Sequence, residues 1–481
     1  MKDIEISNPI LIGRHKETEI LKECLSSPRS EFVIVCGRRR VGKTYLVDHF
    51  FQGTYDFTFV GKHNTKTKQQ LAYFAKELER HNGKKYSGFK NWYDAFDALE
   101  AHLEQVSGNR KKVIFIDEMP WIDRQRSTFV SALENFWNGW ANRRHDILFV
   151  ASGSATSWMA NNLIENKGGL HNRITRRLYL EPFTLSETEE YFSSFGCQLE
   201  RYDILQFYML TGGVPFYLSM LDPKQSVAQN IDNLCFTKNA PLKTEYHELY
   251  NALFKRADTY IQVVELLYRH KKGLTRKEIS KALSLNGKYL TTVLTNLQQC
   301  DFIESYGNYG KKGSTVYRLV DFYSQFYLKF LKGNTTKDHK WWSHNLDDPG
   351  IRAWQGLTYE LICLRHHREI KKALGISGIG TEISTWRCAP DEEKGLPGAQ
   401  IDMLIQRKDR ITHLCEIKHS EQEYYITKEY ATKLRSRSGI FKAHTGTKET
   451  LVHTFITTFG VGEGIHKSLV HSEVTLDDLF D

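Results

Sequence analysis

The sequence predicts an α/β chain with an N-terminal parallel sheet, a smaller helical region and a second mixed sheet. Up to about residue 220, apolar runs of strand length (EFVIVCG, YDFTFVG, KKVIFIDE, HDILFVASG, RRLYLEPF) alternate with helix-length segments. That alternation is typical of parallel strands joined by helical crossovers. Between Phe254 and Leu319 the pattern changes to short helices and a glycine-rich hairpin, and from about residue 340 it is mixed α/β.

Length and composition predict three globular domains. A chain of 481 residues exceeds the size at which single cores stop growing. Hydrophobic residues make up 40% and charged residues 26%, which is ordinary globular usage. Polar stretches such as KGNTTKDHK place the boundaries at 1–225, 226–335 and 336–481.

Charge and cysteine usage restrict the class of protein. The net charge of +9 permits a nucleic-acid or acidic partner without requiring one. Eight cysteines occur singly, without a C-x-x-C pair, so we expect neither a zinc site nor a disulfide framework. No stretch of 18 uncharged apolar residues is present, so we expect no membrane-spanning helix and no membrane partner. A cytoplasmic location is the expectation.

The segment GRRRVGKT matches the phosphate-loop pattern G-x-x-x-x-G-K-[ST], and it lies between a strand-like and a helix-like run. Gly37 and Gly42 let backbone N–H groups converge on phosphates at a helix N-terminus. Lys43 neutralises phosphate charge, and Thr44 offers a hydroxyl to magnesium. The pattern predicts an ATP and Mg²⁺ site. The predicted nucleotide contacts are Gly37, Arg38, Arg39, Arg40, Val41, Gly42, Lys43, Thr44 and Tyr45.

Two carboxylates, Asp117 and Glu118, end the apolar run VIFID, where a parallel strand should emerge beside the loop. We expect Asp117 to hold magnesium together with Thr44, and Glu118 to polarise the attacking water. Taken alone, an Asp-Glu pair after a strand is more often a solvated helix cap. The upstream phosphate loop favours the catalytic interpretation, which makes the chain an ATPase in which Lys43 and Glu118 are catalytic.

Two further groups are candidates for contacting the γ-phosphate. The next strand ends in ASGS, so Ser152 or Ser154 could sense phosphate or water, with Ser154 preferred; a turn-forming Gly-Ser pair is the alternative. Arg173 in HNRITRR is predicted to reach a phosphate as a catalytic residue, either in its own subunit or in a neighbouring one. A homo-oligomer is therefore left open.

These motifs resemble the archaeal-type ATPase family, which is AAA+-like or STAND-like. The resemblance rests on GRRRVGKT, on IDE followed by Pro120 and Trp121, on IGRHKE, and on TGGVP at 211–215. It implies a P-loop NTPase parallel sheet with an added strand, a helical lid, a winged helix and a C-terminal domain related to restriction endonucleases. The nucleotide-proximal positions it implies are Gly13, Arg14, Gly212 and Pro215.

The middle region has the pattern of a winged helix-turn-helix. Thr275 and Glu278 have capping-box spacing, a second amphipathic helix follows Asn286-Gly287, and two alternating runs then flank a glycine-rich basic tip. DNA phosphates could contact three lysines, Lys288, Lys311 and Lys312. The alternative is a domain that only packs against its neighbours, because the second helix has few side chains suited to reading bases.

The C-terminal region contains a hairpin, GAQIDMLIQRKDRITHLCEIK, whose pivot near Asp409 places Asp402 opposite Glu416. Lys418 points to the same face, which is similar to the PD-(D/E)-x-K nuclease pattern, and Glu360 on a preceding helix adds an acidic group. The pattern predicts a divalent-metal site. A charged hairpin that faces water is the alternative.

Together these observations predict an ATP-binding and ATP-hydrolysing switch or motor coupled to nucleic-acid binding or processing, with ATP and DNA as partners. The alternative is a STAND-type regulatory ATPase whose C-terminal domain is a catalytically inactive binding module.

Overall fold

The structure is a computed structural model that describes residues 11–124, 127–154, 156–164, 169–170, 172–271, 273–285, 287–307, 315–388, 390 and 398–481. The chain divides into two units. The first runs to Pro182 and includes Leu294–Asp301, and the second comprises Phe183–Val293 and Phe302–Asp481. The three predicted domain boundaries stay a prediction.

A parallel five-stranded sheet with the order β2-β3-β4-β1-β5 forms the centre of the first unit. Its strands are β1 (Glu31–Cys36), β2 (Phe57–Val60), β3 (Lys112–Asp117), β4 (Ile147–Gly153) and β5 (Arg176–Tyr179). The predicted parallel sheet is confirmed. Strand β4 lies between the strand that precedes the phosphate loop and the strand that ends in Asp117, as an added strand requires.

Helices cover both faces of this sheet. They are α1 (His15–Ser26), α2 (Lys43–Phe51), α3 (Thr67–Asn82), α4 (Trp92–Gln105), α5 (Phe129–Gly139) and α6 (Thr156–Met159), with short 3₁₀ or π turns at Met119–Trp121, Ala141–Arg143 and Ala160–Ile164. In β1, Phe32 and Ile34 join one core cluster, whereas Val33 and Val35 join the other. The strand therefore has no polar face, as expected of a central parallel strand.

The second unit begins with a helical stretch and a small antiparallel sheet of order β6-β8-β7. Its elements are α7 (Leu185–Ser194), α8 (Arg201–Thr211), α9 (Pro215–Leu218), α10 (Val227–Cys235), α11 (Leu242–Leu253), α12 (Ala257–Arg269), β6 (Leu274–Thr275), α13 (Arg276–Leu283), β7 (Ile303–Gly307), β8 (Thr315–Leu319) and the start of α14 (Gly287–Gln299), whose residues from Leu294 onward belong to the first unit. The capping box of Thr275 and Glu278 at the start of α13 is confirmed. Lys288 is exposed on α14, whereas Lys311 and Lys312 lie outside the described residues.

A mixed five-stranded sheet of order β13-β12-β11-β10-β9 follows, with β9, β10 and β11 antiparallel and β11, β12 and β13 parallel. The remaining elements are α15 (Phe322–Phe326), a π turn (Tyr327–Leu331), α16 (Trp341–His344), α17 (Pro349–Arg365), α18 (His367–Ala373), β9 (Thr381–Cys388), β10 (Ala399–Arg407), β11 (Ile411–Lys418), α19 (Lys428–Thr445), β12 (Thr450–Thr457), β13 (Ser472–Val474) and 3₁₀ turns at Lys467–Leu469 and Asp477–Phe480. No helix in the described part of the chain is long and apolar enough to cross a membrane.

The predicted C-terminal hairpin has the expected register. Met403 pairs with Cys415 and Leu404 with Leu414, so the next residues outward, Asp402 and Glu416, face each other. Helix α19 packs on this sheet through Phe441, which contacts Trp386 at a centroid distance of 5.0 Å. The strands and α19 thereby bring charged residues that are distant in sequence to one place.

Candidate active site

The phosphate loop between β1 and α2 depends on its glycines. Gly37 has φ 145°, and a Cβ atom there would lie 2.4 Å from the carbonyl oxygen of Leu180. Gly42 precedes α2 with φ 87°, and Arg40 also has a left-handed conformation with φ 77°. Such backbone angles are inexpensive only for glycine. The two pattern glycines are thus required by close approach and by backbone conformation.

The side chain of Lys43 is folded back onto its own loop. Its buried Nζ donates hydrogen bonds to the carbonyl oxygens of Gly37 (3.1 Å) and Arg38 (2.9 Å). Burial lowers the pKa of Lys43, while the charges of Glu118 and Asp117 oppose that shift. A triphosphate in the loop would offer the ammonium anionic oxygens in exchange for these neutral carbonyl acceptors.

Asp117 is the centre of a hydrogen-bond network at the carboxyl end of β3. Thr44 Oγ1 donates to Asp117 Oδ2 at 2.7 Å, and Ser152 Oγ donates to Oδ1. The backbone N–H of Glu118 also donates to Oδ1, at 2.9 Å. Hydroxyl and carboxylate oxygens are the ligands that Mg²⁺ prefers, and this ion usually keeps several waters and substrate oxygens, so the pair Thr44 and Asp117 fits it.

Glu118 follows directly and is held by the end of β4. Ser154 Oγ donates to its carboxylate at 2.8 and 2.9 Å, and the Ser154 N–H adds a bond of 3.3 Å. A Cβ atom on Gly61 would lie 2.5 Å from the Glu118 carbonyl oxygen, and one on Gly153 would lie 2.6 Å from Pro120 Cδ. Glycines at the ends of both neighbouring strands therefore leave room for the turn that orients the Glu118 carboxylate.

Residues outside the phosphate-loop pattern also shape the site. The buried Arg14 side chain donates to the carbonyl oxygens of Val41 (3.3 Å) and Glu181 (2.8 Å). It therefore holds the phosphate loop, a role that the IGRHKE motif signals only by resemblance. Ser152, which the sequence analysis ranked below Ser154, bonds to the magnesium-binding candidate Asp117, whereas Ser154 bonds to Glu118.

In an aromatic and cationic group beside Glu118, Arg39 and Trp121 were noted in the sequence, whereas His63 and Gln70 had no sequence signal. The Trp121 ring lies 5.1 Å from the His63 ring and 5.8 Å from the Arg39 guanidinium carbon. Gln70 Nε2 fixes the backbone on both sides, donating to Lys62 O at 2.7 Å and to Trp121 O at 3.1 Å. Burial, with the charges of neighbouring arginines, lowers the pKa of His63, which favours its neutral form.

Two residues that were predicted to contact the nucleotide, Arg173 and Tyr45, are exposed. Arg173 is exposed in a turn, and within the described residues its side chain makes no hydrogen bond or ion pair. Tyr45 is 44% exposed and stacks on His49 at 5.9 Å. Their roles at the nucleotide stay predictions, as does a contribution of Arg173 to a neighbouring subunit. Gly212 and Pro215 belong to the second unit, so their position near the nucleotide also stays a prediction.

A second cluster of charged residues lies in the second unit, where α17, β10 and β11 meet. Burial, followed by the charge of Asp402, raises the pKa of Glu360 to about 7. Burial, followed by the charge of Glu416, raises the pKa of Asp402. The charge of Lys418 acts in the opposite direction on both. The structure therefore brings all four predicted residues together.

The carboxylate of Glu416 already has two partners within the protein. Its carboxylate is fully buried, accepts a hydrogen bond from Tyr430 OH at 2.5 Å, and forms an ion pair with Arg437. Lys418 Nζ lies 4.9 Å from the centre of the Tyr430 ring. Across the described residues, no group of three or more His, Cys, Asp or Glu side chains is arranged to hold a metal ion. The C-terminal metal site stays a prediction.

Comparison with known proteins identifies the first of these two sites. Residues 11–221 match the model of an ATPase domain that occurs predominantly in Archaea. This part of the chain is therefore similar to that ATPase domain. The match covers the phosphate loop, Asp117 and Glu118, and it extends into the second unit as far as the TGGVP segment. It supports ATP binding and hydrolysis as the activity of the ATPase domain.

Individual relatives are distant. An uncharacterized protein of Methanocaldococcus jannaschii is 24% identical over 337 residues, which are 68% of this chain and 70% of that protein. A Walker-type ATPase of Pyrococcus abyssi superposes with a TM-score of 0.48 at 16% identity, covering 66% of this chain and 96% of its own. The ORC2 protein of Aeropyrum pernix gives a TM-score of 0.40 at 14% identity, with coverages of 76% and 98%.

Proposed function

We propose that the chain is an ATP-driven switch or motor that hydrolyses ATP at the phosphate loop and binds or processes nucleic acid through its second unit. The observation that carries the first half is the direct hydrogen bond from Thr44 to Asp117, with Glu118 beside it. It joins the phosphate loop to the acidic end of β3, which is the arrangement that triphosphate hydrolysis needs.

Each residue has a separate task in this proposal. Thr44 and Asp117 hold Mg²⁺, which when bound supplies positive charge against the phosphate oxygens. Lys43 exchanges its loop carbonyls for β- and γ-phosphate oxygens. Glu118, held by Ser154, accepts a hydrogen bond from the attacking water and aligns it with the γ-phosphorus. The protein thus contributes mainly orientation and charge.

Purified protein tests this half directly. We expect magnesium-dependent release of phosphate from ATP, and we expect Glu118→Gln to retain bound ATP but to release phosphate at least 100-fold more slowly, roughly the effect of losing a general base. Equal turnover of Glu118→Gln and the natural protein would remove Glu118 from the mechanism.

The nucleic-acid half rests on the second unit. We propose that β6 to β8 with α12 to α14 form a winged helix, and that the sheet β9 to β13 is a nuclease-like domain. Two coupled carboxyl groups, Glu360 and Asp402, with the ammonium of Lys418 nearby, support this proposal. Magnesium would bring its positive charge to the two carboxylates, and Lys418 would orient or deprotonate a water molecule. The test is cleavage of labelled DNA with Mg²⁺ or Mn²⁺, compared between the natural protein and Asp402→Asn.

One observation favours the regulatory alternative, in which the C-terminal domain is a catalytically inactive binding module. Both oxygens of Glu416 are occupied, one by Arg437 and the other by Tyr430. A carboxylate that is neutralised in this way has less need of a metal ion. Binding of DNA without cleavage under any divalent metal would favour this alternative, whereas cleavage that Asp402→Asn abolishes would exclude it.

A further inference from the structure

A cleft in the second unit joins the β7–β8 hairpin to the carboxyl pair. Its walls are formed by Tyr306 and Arg318 of the hairpin, Glu360 of α17, and Arg387 and Asp402 of the C-terminal sheet, with Gln400 beside them. Including its mouth, the cleft has a volume of about 500 Å³. Both strands of the hairpin therefore lie against the candidate catalytic groups.

Specific contacts fix the hairpin in this place. Glu304 of β7 forms an ion pair with Arg365 of α17 at 3.3 Å. Tyr306 OH, two residues further along the same strand, also bonds to Glu304. The strand that supplies Tyr306 to the cleft is therefore anchored to the helix that supplies Glu360.

Arg318 is oriented within the cleft. Its Nε donates to the carbonyl oxygen of Lys271 at 3.2 Å, and its guanidinium carbon lies 5.8 Å from the centre of the Tyr306 ring. Arg318, Glu360 and Asp402 line the same cleft, so the guanidinium and the carboxyl pair border one space. The Nη groups of Arg318 are not used in its bond to Lys271.

The chemistry of these walls suits one kind of ligand. Arginine donors match the oxygens of a phosphodiester, and an aromatic ring offers a surface on which an unpaired base can stack. Two carboxylates next to such a phosphate are the groups that would share a divalent ion with it. In a double helix the faces of each base are covered by its neighbours, so a stacking ring of this kind suits an unpaired base.

We propose that this cleft binds single-stranded nucleic acid, with Arg318 and Arg387 on the phosphates and Tyr306 as a stacking surface. The inference rests on the nucleic-acid half of the proposed function and deepens it. It makes the β7–β8 hairpin part of the same binding site as the carboxyl pair, and it assigns phosphate binding to cleft arginines in addition to the lysines predicted from the sequence.

Fluorescence anisotropy with a 5′-labelled 12-nucleotide oligothymidine tests the assignment, with EDTA present so that cleavage cannot occur. We expect Arg387→Ala and Arg318→Gln each to weaken binding by about 10-fold, the effect of losing one charge-assisted hydrogen bond. Each change should also reduce the slope of log affinity against log salt by about 0.7, the single-strand value for one phosphate contact. An unlabelled duplex of the same length should compete poorly.

Arg435→Ala is the matched control, because Arg435 is exposed on α19 and makes no ion pair within the described residues. Arg387 is also exposed, so its removal should leave the melting temperature unchanged. If the oligonucleotide binds equally to the natural protein and to both cleft variants, the cleft assignment is wrong and the proposed function stands. A loss confined to Arg435→Ala would move the site to α19. No binding to the natural protein would overturn both proposals.

Discussion

At the scale of single residues, hydrogen bonds to neighbouring groups restrict the motion of the side chains in the ATPase site. Lys43 is bonded to carbonyls of its own loop, Thr44 and Ser152 are bonded to Asp117, and Ser154 is bonded to Glu118. These bonds hold the side chains near their working positions before a ligand arrives. Such preorganisation reduces the entropy that binding would otherwise cost.

Replacing Lys43 by Ala should abolish measurable ATP binding. The ammonium makes charge-assisted hydrogen bonds to phosphate that a methyl group cannot replace, and each of these is worth about 1.5–3 kcal/mol. Titration calorimetry with ATP and Mg²⁺ provides the measurement. Lys16→Ala, an exposed lysine on α1, is the control and should bind ATP normally. Unchanged affinity in Lys43→Ala would contradict the phosphate-loop assignment.

Replacing Glu360 by Gln should stabilise the fold above pH 7. Because the pKa of Glu360 rises from 4.5 to about 7 on folding, the folded state retains a proton that the unfolded chain has released between these pH values. Stability is therefore lost as pH rises through this window, by about 3 kcal/mol for a shift of this size.

Urea unfolding in metal-free buffer at pH 5 and pH 8 checks this expectation. The stability difference between Glu360→Gln and the natural protein should be larger at pH 8. Glu369→Gln on α18, whose carboxylate contacts neither Asp402 nor the cleft, is the control. An equal stability difference at the two pH values would show that folding does not raise the pKa of Glu360 and that Asp402 does not affect it.

At the scale of elements, helix α19 has two faces with different tasks. Tyr430 and Arg437, seven residues apart and therefore on one face, bind Glu416 of β11. The opposite face carries Lys428, Arg435 and Lys442, which are exposed. The helix thus neutralises a buried carboxylate on one side and presents positive charge to solvent on the other.

Arg437→Met should destabilise the chain strongly, since it leaves Glu416 buried without its ion-pair partner. Removing one member of a buried pair costs about 3–5 kcal/mol, and the partial exposure of Arg437 (19%) places the expected loss near the lower end. Arg435→Met on the exposed face should change stability by less than about 0.5 kcal/mol. Chemical denaturation of the two variants is the measurement, and similar losses would contradict the assigned contact.

The sequence predicted those elements whose determinants are local. The phosphate loop, the strand that ends in Asp117 and the hairpin that pivots near Asp409 each have their signal within about 20 residues, and the structure has these elements. Residues that act through tertiary packing could not be found in this way. Arg437 reaches Glu416 only because α19 docks on the sheet, and Arg318 lines the same cleft as Glu360 because an ion pair between Glu304 and Arg365 joins the β7–β8 hairpin to α17.

Arg173 shows another limit of the sequence. The basic segment HNRITRR suggested a phosphate contact, and the side chain is exposed in a turn before β5, so the contact stays a prediction. Arg39 and Trp121, which the sequence patterns named separately, lie together near Glu118, a contact that neither pattern indicated. Charge type is visible in a sequence, whereas the direction in which a side chain points depends on packing.

At the scale of the whole molecule, the proposed function requires that nucleotide state and nucleic-acid affinity influence each other. By thermodynamic linkage, any factor by which ATP changes the affinity for DNA equals the factor by which DNA changes the affinity for ATP. Typical couplings between two binding sites are about 5- to 150-fold. An ATPase that regulates a binding domain must show such a factor, and a chain with two independent sites must not.

Glu118→Gln makes this measurable, because we expect it to hold ATP without hydrolysing it. Affinity for labelled oligothymidine would be measured by anisotropy in EDTA, with Mg²⁺ and ATP, and with Mg²⁺ and ADP. Affinity for ATP would then be measured by calorimetry with and without the oligonucleotide. We expect the two measurements to give the same change in affinity, at least 5-fold. In Lys43→Ala, which is expected not to bind the nucleotide, ATP should leave the affinity for the oligonucleotide unchanged. If ATP and ADP leave the DNA affinity of Glu118→Gln equal, the two activities are independent, and the chain is an ATPase joined to a nucleic-acid-binding domain rather than a switch or motor.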